Sequence, residues 1–337
     1  MRKLHYKWLL LLPIFVLVLL FAAFHALATG ELEIPFREIP SLLFSNSDSM
    51  EHLILKEIRL PRILLGLAVG GGLSLAGVIL QGVFKNPLVE PYTLGISGGA
   101  ALGVAITIVL NLHNYLGTFA LPLFGFAGAL ATIVLVYSLS IRKGKIKIQH
   151  MLLIGVMISF VSSSSMMFLM ATTSAENLHG IVFWIMGSLD EPNKNLIIWA
   201  VAISTICLIG AYLLVQPLNA LRLGETKARN LGINTDVAIR ILFLISSILT
   251  GVCVSVAGVI GFVGLIIPHL MRLIVGGDFR ILLISSFLTG GAFLIFSDTV
   301  ARVIIAPNEL PVGVITGILG GAVFIVVLAK SGIKNQL

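Results

Sequence analysis

Apolar residues run along this chain in long unbroken stretches divided by short polar segments. The pattern shows neither the alternation of a half-buried strand nor the narrow stripe of a surface helix. A helix needs about 20 apolar residues to cross the hydrocarbon core of a bilayer. Stretches of that kind predict about ten spans, at 8–28, 63–84, 94–111, 116–140, 151–172, 196–215, 237–257, 262–275, 282–299 and 311–329. The eighth is short and contains Pro268, so a tilted or partial span is expected there. The first follows Arg2, Lys3 and Lys7 and ends at Ala26-Leu27-Ala28, a weak processing pattern. Its apolar length favours an uncleaved span over a signal peptide. The predicted fold class is an all-α polytopic membrane protein with one transmembrane domain over residues 1–337.

Two polar connections exceed tight turns. One is 29–60, with Pro35 and Pro40. The other is 173–195, where 176–188, including Trp184, reads as a short helix lying at the membrane interface.

Composition sharpens this reading. Only 11% of the 337 residues are charged and 58% are apolar, against about 25% charged in soluble domains. Mean hydropathy is +1.07, which excludes a soluble enzyme with one anchor, a disordered chain and a disulfide scaffold. Cys207 and Cys253 lie inside apolar stretches and read as small core residues. The net charge of +7 comes from cations in the short connections, with no basic stripe carrying interleaved aromatics, so nucleic acid is not an expected partner. With the N-terminus in the cytoplasm, 16 of the 22 Lys and Arg fall on the inner side. The positive-inside rule then places both termini in the cytoplasm.

The chain also repeats itself. A shift of 181 residues brings Arg59 onto Arg240, Gly70 onto Gly251 and Ser74 onto Ser255. Ala76-Gly77-Val78-Ile79 then meets an identical Ala257-Gly258-Val259-Ile260. A shift of 158 pairs Gly155-Val156 with Gly313-Val314, and Ser159, Ser162, Ser163 and Ser164 with Gly317, Gly320, Gly321 and Ala322. Five spans separate each pair, so matched helices run in opposite directions. The repeat halves are about 59–172 and 237–329. Inverted repeats of this kind are a transporter architecture. Gly70-Gly71-Gly72, Gly98-Gly99 and Gly290-Gly291 read as helix-packing surfaces.

The chemistry-bearing motifs of enzymes are missing from the sequence. It has no phosphate-binding Gly-x-x-x-x-Gly-Lys-Ser/Thr, no metal-ligand spacing and no nucleophile elbow. The chain is therefore not expected to be an enzyme, and an ATP-driven pump would carry its nucleotide site on a partner. Residues 218–232 are too polar to span and too apolar for a mere linker; Leu221, Ala228 and Leu231 are expected to present an apolar docking surface.

Specific motifs then carry a resemblance. Arg59-Leu60-Pro61-Arg62, Gln81, Asn86-Pro87-Leu88-Val89-Glu90-Pro91 and Leu94-Gly95-Ile96-Ser97-Gly98-Gly99-Ala100 come first. Leu223-Gly224-Glu225, Leu231-Gly232, Gly258-Val259-Ile260-Gly261-Phe262-Val263-Gly264, Pro268-His269, Asp298 with Arg302, and Glu309-Leu310-Pro311-Val312-Gly313 follow in order. Over residues about 59 to 325 the chain resembles the FecCD family of ABC-transporter permeases, the BtuC-like group that serves iron chelates, haem and vitamin B12. It departs from the family at Ala322, where Pro is usual, which puts the shape of the last helix in doubt.

The resemblance implies a homodimer in the cell (inner) membrane, with a pathway at the subunit interface. It also implies two cytoplasmic ABC ATPase subunits holding ATP and magnesium, no cofactor or metal in this chain, and an external substrate-binding protein. Leu223, Gly224, Glu225, Ala228, Leu231 and Gly232 would couple to the ATPase. Arg59, Arg62 and Arg302 would dock acidic residues of the binding protein; the alternatives are headgroup anchoring or an internal pair, Asp298 with Arg302 above all. The fifth span would line the pathway, with its gate near Gln149 and His150. Ser162, Ser163, Ser164 and Ser165 either hydrate the pathway or bond back to their own helix. Met166, Met167 and Met170 read as packing, and His269 as a structural residue at a helix start. The substrate expected is a ferric siderophore, haem or cobalamin; an oxyanion such as molybdate or tungstate is the alternative. An ion-coupled secondary transporter is a further alternative, for which Asp298 would be the ion site.

Overall fold

The computed structural model describes residues 2–44, 49–142 and 145–334; Lys143, counted above among the inner cations, lies outside them. The main helices are α1 (Arg2–Ala28), α2 (Leu60–Phe84), α3 (Ile96–Val109), α4 (Ala120–Ser140), α5 (Ile148–Thr172), α6 (Ala175–Met186) and α7 (Lys194–Leu213). They continue with α8 (Val215–Leu221), α9 (Glu225–Asn230), α10 (Thr235–Ala257), α11 (Val263–Val275), α12 (Phe279–Val303) and α13 (Val312–Lys334). Among the described residues, seven helical stretches are long and apolar enough to cross a membrane. Three shorter apolar helices, Ile96–Val109, Val263–Val275 and Val312–Val327, bring the segments to the ten expected. A two-residue antiparallel ladder, Ile141–Arg142 against Lys145–Ile146, is the one departure from helix and loop among the described residues.

The interfacial helix expected at 176–188 is α6, started by Ser174, whose hydroxyl accepts from the Asn177 N–H. His269 does not start a helix, as its sequence context implied; it lies in the middle of α11, directly after the helix-internal Pro268.

Helix α2 forms the centre, with 83% of its apolar window buried against 11% for α5. Close approach requires glycine there. A Cβ on Gly77 would sink into the Gly264 carbonyl of α11, and one on Gly70 into the Gly290 carbonyl of α12.

Helix contacts come in matched sets. α2 packs on α11 and α12 as α10 packs on α3 and α4. α3 touches α4 and α5 as α11 touches α12 and α13. α1 covers α12, and α7 lies against both α2 and α10. The matching follows the inverted repeat helix by helix.

The repeat breaks down at its most similar point. Ala76-Gly77-Val78-Ile79 is helical within α2. The identical Ala257-Gly258-Val259-Ile260 ends α10, with Gly258 at φ +69°, open to glycine at little cost. Helices α3 and α11 are accordingly short, about 20 Å by helix rise. The remaining depth is filled by the loops before them, 85–95 and 258–262.

Candidate functional site

Three groups of side chains occupy the two ends of the bundle and its middle. At the end where α2 begins and α12 finishes, Asp298 accepts from Arg62 Nη2 at 3.0 Å and from Arg302 Nε at 3.1 Å. Arg62 Nη1 also reaches Glu309 at 2.8 Å, and Arg302 Nη2 donates to the carbonyl of Ala26 at 3.3 Å. Arg59 donates to the carbonyls of Leu27 and Leu32. Arg62 and Arg302 therefore share Asp298, with Glu309 on Arg62 as well, and Arg59 is held by backbone carbonyls. All three arginines are buried, and the internal pair of Asp298 with Arg302, the alternative to docking, is present and joined by Arg62. The i,i+4 spacing of Asp298 and Arg302, together with apolar walls from α1 and α12, turns them inward. Arg59 and Arg302 still line a cavity of about 320 Å³ with Glu31 and Glu309.

At the opposite end, α8 and α9 form the segment between α7 and α10. Gly224 joins them at φ +111° and ψ 149°, a region nearly closed to other residues. Leu223 and Leu231 are exposed, at 58% and 64%. Leu221 and Ala228 are buried, which corrects the expectation that they form the apolar surface. They face the bundle and fix the segment to it, leaving Leu223 and Leu231 outside. Gly232, at φ +82°, closes the turn after α9. Glu225 shares a cavity of about 500 Å³ with Gln149 and His150, at the start of α5, and with Lys85 and Lys147.

Along α5 the serines divide. Ser162 is buried against Gly98 of α3, whereas Ser164 is exposed and Ser163 and Ser165 are half-buried. Ser162 is thus a packing residue and no part of an open face. Phe160, Val161, Met167 and Phe168 stand exposed on the same helix.

In the middle, the two helix breaks meet. The Tyr92 hydroxyl donates to the Ile260 carbonyl and accepts from the Ile260 N–H, both at 3.0 Å. The Phe262 N–H donates to Glu90. Broken backbone at membrane depth survives only where protein covers it and pairs its polar groups, and these side chains do so. Sequence reasoning quoted Glu90 within a motif but assigned neither it nor Tyr92 a role. The signal was present, a buried-type loop between two apolar stretches, but its partner lay about 170 positions away. Among the described residues no three His, Cys, Asp or Glu side chains converge as metal ligands.

These features agree with what the chain is similar to. Residues 16–330 match the model of the FecCD transport family. The chain belongs to that family. It is 38% identical over 319 residues to the hemin transport system permease of Yersinia pestis, covering 94% of each chain. It is 35% identical over 330 residues to the vitamin B12 import system permease of Escherichia coli, covering 97% of this chain and 96% of the other. A solved inward-facing metal-chelate type ABC transporter superposes with a TM-score of 0.82 at 30% identity, covering 96% of this chain and 99% of that one. As a FecCD permease the chain is a multi-pass transport subunit of the ABC importer type. Its departure at Ala322 leaves α13 continuous, and Ala322 is exposed on it.

Proposed function

We propose that this FecCD permease moves a metal chelate, a ferric siderophore, haem or cobalamin, using ATP hydrolysed by a partner subunit. The observation that carries this reading is the cavity shared by Glu225 with Gln149 and His150. It joins the segment that would grip an ATPase to the foot of the helix that would line the pathway. A push on the exposed Leu223 and Leu231 passes through buried Leu221 and Ala228 into the bundle. Two copies would meet across α5 and α13. The support is the low burial of α5 and the exposed Ser164 hydroxyl, which a lipid-facing surface would not favour. Glu225 then faces the cytoplasm, both termini lie there, and Arg59 faces outward. Acidic groups of a binding protein would reach Arg59 and Arg302 through the cavity beside Glu309.

The test is uptake into proteoliposomes holding the permease with its ATPase and binding protein. ATP-dependent uptake of haem, cobalamin or a ferric siderophore is expected. Uptake of molybdate or tungstate alone would replace the substrate class. Uptake driven by an ion gradient without ATP would overturn the reading.

A further inference from the structure

A second cavity at the Glu225 end carries three cations and no acid. Lys85, Arg222 and Arg272 line a space of about 190 Å³ with Gln81 and Gly277. None of the three forms an ion pair among the described residues. The nearest carboxylate in sequence, Asp278, is taken up by the Asn219 amide at 3.1 Å and the Arg280 N–H at 2.9 Å. Like charges converging on one cavity repel, and the arrangement is held by specific contacts. Arg272 Nη2 donates to Gln81 Oε1 at 3.3 Å, and Arg222 donates to the Gly277 carbonyl. A side chain on Gly277 would displace the Arg222 guanidinium, its Cβ lying 2.5 Å from Nη2. Lys85 sits at φ 52°, a conformation uncommon for residues other than glycine.

We propose that this cavity binds the phosphate group of an anionic ligand, supplied by a phospholipid of the surrounding bilayer. Its volume falls below the roughly 300 Å³ at which pockets take a drug-sized molecule, so a headgroup-sized anion fits and a chelate does not. Basic pockets between transmembrane helices are the setting in which acidic phospholipid headgroups bind. Leu273 and Ile274, next to Arg272 on α11, are 65% and 54% exposed and give acyl chains a surface beside the headgroup. Because Arg222 directly follows α8, an occupied cavity ties the α8–α9 segment to α2 and α11.

The full chain, purified in detergent and stripped of lipid, is titrated with phosphatidylglycerol, with phosphatidylcholine of the same acyl chains and with inorganic phosphate, followed by native mass spectrometry. Phosphatidylglycerol is expected to bind in preference to phosphatidylcholine. Its affinity should fall about fivefold for each cation neutralised in Lys85→Gln, Arg222→Gln and Arg272→Gln, while Arg272→Lys retains binding. Inorganic phosphate that binds with the same dependence on the cations, where phosphatidylglycerol does not, keeps the anion site and assigns it a soluble source. If neither probe responds to the substitutions, the proposal is overturned. Should Arg222→Gln or Arg272→Gln fail to fold, the exposed Lys85→Gln and the charge-keeping Arg272→Lys carry the same comparison.

Discussion

Gln81 of α2 donates its side-chain amide to the Gly264 carbonyl at 3.4 Å, the carbonyl that Pro268, four residues later in α11, has no N–H to reach. The same amide reaches the Leu265 carbonyl at 3.3 Å. A proline inside a packed helix leaves an orphan acceptor, and here a buried glutamine on the neighbouring helix of the other repeat half covers it. Gln81→Leu is expected to cost about 1–3 kcal/mol by stranding that carbonyl. In a Pro268→Ala background the helix can supply its own N–H, and the cost should shrink by about 1 kcal/mol. Unfolding in detergent across the four variants of the cycle measures this; strictly additive costs would refute the pairing.

Asp298 holds two arginines in a buried setting, whereas Glu309 is 46% exposed. Asp298→Ala leaves the buried Arg302 without a carboxylate and Arg62 with Glu309 alone, a loss of about 3–5 kcal/mol. Glu309→Gln should cost less than about 1 kcal/mol. Comparing the two by denaturant unfolding checks the ranking, and equal losses would contradict it.

Packing at Gly77 makes a contrasting pair with Gly261, around which a Cβ would meet nothing within 4 Å. Gly77→Ala should destabilise by roughly 1–3 kcal/mol as α2 and α11 are forced apart. Gly261→Ala should stay within about 0.5 kcal/mol. Thermal stability of the two purified variants decides between this and a general sensitivity to alanine.

Gly224 should be sensitive in function more than in insertion. Gly224→Ala forces a side chain into a backbone region that costs about 1–3 kcal/mol, so α9 should tilt away from its position. Substrate-stimulated ATP hydrolysis in the assembled transporter is expected to fall while the amount of protein in the membrane holds. Full stimulation in Gly224→Ala would remove the segment from the coupling route.

Much of the helical layout was legible because a bilayer demands long apolar stretches, and such stretches are contiguous in sequence. The family was legible for the same reason, since its motifs are local strings. The arginines show where that reading stops. Arg59, Arg62 and Arg302 look alike as cations near helix ends, yet their partners Ala26, Leu27, Asp298 and Glu309 come from two distant parts of the chain. Leu221 and Ala228 could not be told from Leu223 and Leu231 either, because the α8–α9 segment is too short for its apolar period to choose a face.

The amino-acid order by itself determined that this chain is a bundle of membrane helices with two opposed halves, since hydrophobic length and internal similarity are properties of the string. Only the tertiary structure decided what each half does with the same words. Ala-Gly-Val-Ile continues a helix at 76–79 and ends one at 257–260. At the first place Gly77 lets α11 press against an intact helix. At the second, Gly258 turns beneath the Trp184 carbonyl, and Tyr92 satisfies the backbone of Ile260. The local preferences are equal, so the surrounding hydrogen bonds and close contacts settle which conformation is lower in free energy.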